Sequence, residues 1–217
     1  MELTSFFLLM QFSSLVPVAI GIIRYRKIDP SYRPFVLWLT LGFINESVNY
    51  ILIKLVGTNV ISFNIFQLIE SVLIIYQFRV WGFLKDKPRL LNWIGIIFII
   101  AWITQNLVYQ KIFAFSPFFR IFYAFIIVLL IVNEIIYIAN ETSNVFKNAK
   151  FIICTTMIIF FIYQILYEGA LIISSSQVKN SSNMIIEYLG YVNAFLNLLY
   201  AWALLVIPKK TGFYIEN

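Results

Sequence analysis

Between residues 61 and 82 the chain reads ISFNIFQLIESVLIIYQFRVWG. As a helix rising about 1.5 Å per residue it would be about 33 Å long, close to the hydrocarbon thickness of a bilayer, roughly 30 Å. A helix satisfies every backbone N–H and C=O internally, so an apolar run of this length suits a membrane span. Glu70 is the constraint. It falls ~13 Å into the layer, where an ionised group costs on the order of 3 kcal/mol, and more against lipid. Glu70 must therefore face other helices or water. Asn64, Gln67 and Gln77 share its helical face. The stretch reads as a central helix, apolar on one side with a polar seam on the other.

Six further runs of similar length accompany it. The expected spans are about 3–23, 34–56, 61–82, 91–109, 117–139, 150–173 and 184–207. Of the 217 residues 61% are hydrophobic and 12% charged, against about a quarter charged in soluble domains. The fold class expected is an all-α membrane protein, a seven-transmembrane-helix bundle forming one domain over 1–217. The apolar runs are too long for the short alternating strands of a membrane β-barrel. The N-terminal MELT lacks the basic region of a signal peptide, so the first run is expected to be a retained span, kinked at Pro17.

Lysine and arginine placement sets the expected orientation. Twelve of the sixteen lie in the first, third and fifth connections, at Arg79, or in the tail; the others are Lys54, Lys111, Arg120 and Lys179. This places the N-terminus outside and the C-terminus in the cytoplasm. It also explains the net charge of +6 without nucleic acid. Trp38, Trp81, Trp93 and Trp202 fall near the inner boundary, where an aromatic belt is expected.

The chain has no histidine. That removes Ser-His-Asp and Cys-His nucleophile pairs, HExxH zinc sites and histidine haem ligands. Cys154 is the only cysteine, so there is no intrachain disulfide. No enzyme activity, metal or cofactor is expected.

Four constellations carry the candidate chemistry. Glu46 and Glu70 lie at similar depth on helices joined by a tight turn, with Asn49 and Gln67 one turn from each. Read functionally, they form a cation, proton or amine site; read structurally, protonated acids are hydrogen-bonded to amides and fix helix packing. Lys54, Arg120, Glu168 and Glu187 form an outer group. They are either ion pairs with snorkelling tips or a vestibule leading to the acid pair, lined by Tyr167 and Tyr191. Asn193, Asn197 and Tyr200 share one helix face, for interhelical hydrogen bonds or ligand contact. Arg79 and Glu134 sit near the inner boundary, paired or snorkelling independently. The seventh run has no lysine before Lys209, hence no anchor for a retinal Schiff base. Asn180-Ser181-Ser182 fits a glycosylation sequon.

FNIFQLIESVLIIYQF, together with YVNAFLNLLY in the last run, resembles a group of short bacterial seven-span proteins. The resemblance implies a bacterial plasma-membrane protein, a sensory or signalling accessory, and brings no activity or functional residue. From the residues themselves, the first reading is binding or transport of a small cation, proton or amine-bearing solute. The alternative is a sensor that binds a small or lipidic ligand and acts through a cytoplasmic partner. The lipid bilayer is the partner common to both.

Overall fold

The computed structural model describes residues 12–82, 84–109, 112–174 and 179–208, with backbone alone at 173–174 and 179–189. It is all-helical, with no strands among the described residues. Among the described residues seven α-helices follow in order: α1 (Leu15–Arg24), α2 (Arg33–Val56), α3 (Val60–Val80), α4 (Pro88–Ile103), α5 (Pro117–Glu141), α6 (Ala149–Ser174) and α7 (Lys179–Val206). A π-helical stretch, Thr104–Tyr109, continues α4.

Local sequence explains the boundaries. Proline stands in the first turn of α2, α4 and α5, where a missing N–H costs no helical hydrogen bond. Gly57 ends α2 in the left-handed conformation at φ 80°. Gly82 (φ +27°) closes the turn after α3, where an added Cβ would run into the Glu134 carboxylate. Pro17 lies in the first turn of α1, just after the winding changes from the 3₁₀ turn Phe12–Ser14. Residues 3–11 of that expected span lie outside the described residues.

Among the described residues five helical segments are long and apolar enough to cross a membrane: Pro30–Val56, Val60–Val80, Pro88–Tyr109, Pro117–Glu141 and Ala149–Ile172. The described stretches Phe12–Arg24 and Gly190–Val206 are apolar as well. Large hydrophobic side chains stay exposed along the helices, including Leu55, Val108 and Leu166. Water would penalise so wide an apolar surface and lipid would not. The helices thus have the length and surface of a multi-pass membrane protein.

The helices pack around a common interior. α2 packs on α3, α5 on α6, α6 on α7, and α7 returns to α1, while α4 lies mainly on α3 and α3 also touches α5. Arg24 closes the α1–α7 seam by donating to the carbonyls of Leu204 and Ile207. A cation there also opposes the negative end of the α7 dipole. The Asp29 N–H donates to Pro208 O at 3.2 Å beside it. Phe35, Trp38, Tyr200 and Phe160 form an aromatic cluster, with neighbouring ring centroids 5.5 to 6.3 Å apart.

Two of the four tryptophans expected at a membrane boundary are inside instead. Trp38 is buried in that cluster. Trp81 is fully buried against Tyr32, with ring centroids 5.5 Å apart. Trp93 and Trp202 are at least half exposed.

Candidate functional site

The register of α2 against α3 decides which polar groups meet. Ser62 donates to Asn45 Oδ1 at 3.3 Å, a Cβ on Gly42 would touch Phe66, and Trp38 Nε1 donates to Glu70 Oε1 at 3.1 Å. All three contacts hold one register, with Glu46 level with the first turn of α3 and Glu70 level with Trp38. Ser62 and Glu70 are eight residues apart, a rise of about 12 Å. The expected Glu46–Glu70 pair is therefore not formed. The tight turn suggested equal depth, but α2 runs eleven residues past Asn45 and α3 only two past Ser62.

Each acid instead anchors its own polar node. Glu70 is buried and accepts from Trp38 on one oxygen and from the Tyr123 hydroxyl on the other, at 2.5 Å. Gln164 Nε2 donates to that same hydroxyl at 2.9 Å. A hydrogen-bonded chain thus runs from α6 through α5 to α3 and α2. Glu46 accepts from the Ser14 hydroxyl at 2.6 Å and from the Asn193 side chain. Asn197 Nδ2 donates to Ser13 Oγ at 2.8 Å, tying α7 to the same 3₁₀ turn. Asn193 and Asn197 make interhelical hydrogen bonds, whereas the buried Tyr200 hydroxyl has no partner and its ring packs on Phe35 and Trp38.

The other candidates divide. Arg120 and Glu168 form an ion pair at 2.5 Å across α5 and α6, with the Glu168 side chain fully buried. The Arg120 guanidinium also lies 4.2 Å from the Phe63 ring centroid, within cation–π range. Lys54 is exposed and stacks over Tyr50 at 4.4 Å, away from that pair. Glu187 lies on α7 among residues whose side chains are outside the description. Asn49 and Gln67 are buried, yet Asn49 Oδ1 and both amide atoms of Gln67 lack hydrogen-bond partners. Arg79 is exposed and forms no ion pair with Glu134, which packs against Gly82.

A cavity of about 300 Å³ lies between α3, α5, α6 and α7, toward the end that carries the α2–α3 turn. Its polar lining comprises Arg120, Tyr163, Gln164, Tyr167, Asn193 and Asn59; Phe63, Phe115 and Phe160 supply aromatic walls. Gln164 belongs to the Glu70 node and Asn193 to the Glu46 node. Glu46 thus stands one side chain behind the cavity and Glu70 two, and neither lines it. Gln164 Oε1 and Arg120 Nε are buried and unpartnered. Tyr163 was not among the residues marked by sequence; it carries no charge and belongs to no polar pattern along its run. Among the described residues no group of three or more His, Cys, Asp or Glu side chains could hold a metal.

An all-helical fold with five long apolar helices among its described residues has the character of a multi-pass helical membrane protein. Comparison with family models, with curated proteins and with solved structures finds no match for the chain.

Proposed function

We propose that this protein crosses the membrane seven times, with its N-terminus outside, and binds a small amphipathic solute in the cavity between α3, α5, α6 and α7. The observation that carries the reading is that this cavity is flanked by both acid nodes, and that two residues of its lining hold buried hydrogen-bonding atoms without partners, Gln164 Oε1 and Arg120 Nε. Its one charged side chain among the described residues is Arg120, and its walls are aromatic. That lining favours a solute with a flat apolar body and an acceptor or carboxylate over a bare cation or amine. A bacterial plasma-membrane location belongs to the same proposal and rests on the resemblance in the α3 and α7 segments.

Thermal unfolding of the purified protein in detergent tests it, with benzoate and ethylamine as probes. Benzoate is expected to raise the midpoint for the wild type and not for an Arg120→Gln/Glu168→Gln double variant. The double exchange avoids leaving either charge buried alone. Stabilisation by ethylamine alone, lost in Glu70→Gln, would return the site to the cation reading. No shift with either probe would remove solute binding.

One observation favours a second reading, proton-coupled transport. The Gln164–Tyr123–Glu70 chain connects the cavity wall to a buried acid. Uptake of the bound probe into liposomes, driven by a pH gradient and abolished in Glu70→Gln, is the expected result for transport. Binding without flux points to sensing, with occupancy passed to a cytoplasmic partner.

A further inference from the structure

A second depression lies at the opposite end of the bundle, where α2 begins and α3 ends. It has a volume of about 540 Å³. Tyr25, Ser31 and Arg33 stand at its outer edge. One turn further in are Leu37 and Tyr76, 44% and 50% exposed. Arg33 Nε is buried without a hydrogen-bond partner, and its guanidinium lies 5.4 Å from the centre of the Tyr25 ring. No carboxylate pairs with Arg33 among the described residues. Arg79 follows Tyr76 by one turn and is exposed.

The charges around the groove are lopsided. Arg26, Lys27, Lys85, Lys87 and Arg89 are all exposed at this end. The acids nearby among the described residues are Glu134, which is buried against Gly82, and Asp29, Asp86 and Glu141. Asp29 is directed at its own turn: the Ser31 hydroxyl and backbone N–H hold its carboxyl below the ordinary carboxylate range, and Lys150 is the cation close to it. Asp86 is exposed in the turn between α3 and α4, and Glu141 is exposed at the end of α5. Neither lines the groove.

We propose that this groove is a binding site for an anionic glycerophospholipid, its phosphate against Arg33 with the Tyr25 hydroxyl, and one acyl chain along Leu37 and Tyr76. The match is to an amphiphile: a basic, hydroxyl-bearing edge passes within one helical turn into an exposed apolar wall. Free phosphate would leave that wall unfilled. A zwitterionic choline lipid would bring its own cation among the basic residues at this end. Basic residues at a membrane surface attract anionic headgroups by about 1 kcal/mol each. The groove adds an acyl seat that fixes where such a lipid sits.

The test compares phosphatidylglycerol with phosphatidylcholine, titrated onto the full-length protein in detergent and read by native mass spectrometry. Phosphatidylglycerol is expected to bind more tightly. Arg33→Gln should weaken it about tenfold, the scale of a lost hydrogen bond to a charged group. Arg33→Lys should keep most of the affinity. Arg89→Gln, at the same end but outside the groove, should leave it unchanged. Leu37→Trp fills the apolar half with Arg33 intact and should also weaken binding. Equal binding of the two lipids, or equal losses in Arg33→Gln and Arg89→Gln, would reduce the effect to diffuse surface attraction and overturn the site.

Discussion

Trp38 and Tyr123 approach Glu70 from two different helices, one on each carboxylate oxygen. Two donors offset much of what it costs to take an acid out of water, which is how α3 tolerates it. Gln67, one turn earlier on the same helix, is the contrary case. It is 1% exposed and neither amide atom has a partner. A buried amide left unpaired costs about 1 to 3 kcal/mol, so an apolar residue of similar volume should be tolerated or better. Gln67→Leu is expected to leave the unfolding midpoint in detergent unchanged or to raise it, by about 1 kcal/mol at most. A clear loss of stability would mean that Gln67 is satisfied by a bound water or solute.

At the scale of elements, the α2–α3 register separates the polar groups into nodes. With Cys154 replaced by alanine, paired cysteines at Asn45 and Ser62 are expected to cross-link under mild oxidation, and paired cysteines at Glu46 and Glu70 are not. Cross-linking of the second pair would overturn the register. Sequence periodicity made the helices legible, because an apolar run needs only its length to be recognised. It also marked Glu70 as facing inward. It could not give the register, because that depends on how far the three-residue connection Gly57–Asn59 lets one helix slide past the other. The partners of Glu70 were hidden for a related reason. Trp38 was read as a boundary anchor from its place near a helix end, and Tyr123 lies in a run of aromatics with no local signal. Arg120 and Glu168 were marked together as an outer group with balanced charge, and they do pair.

For the whole molecule, closure depends on the short α1 meeting the end of α7. Arg24 makes two contacts to backbone carbonyls there, and little else polar joins those helices at that end. Arg24→Gln should destabilise the protein by about 1–2 kcal/mol, the scale of a partly buried cation at a helix C-terminus. Denaturation in detergent, monitored by helical circular dichroism, measures it. Proteolytic sensitivity should rise first around residues 25–29. If stability and cleavage both stay unchanged, α1 is held by its apolar face alone.

The extra turns of α2 beyond α3 carry Ile51, Ile53, Leu55 and Val56, all more than half exposed. One flank of the protein therefore wears a taller greasy collar than its neighbour. Lipid beside that flank must stretch, or the bundle must lean, to keep those side chains out of water. A protein of this outline would sit upright only in a thick bilayer, and in a thin one its inclination would be set by α2.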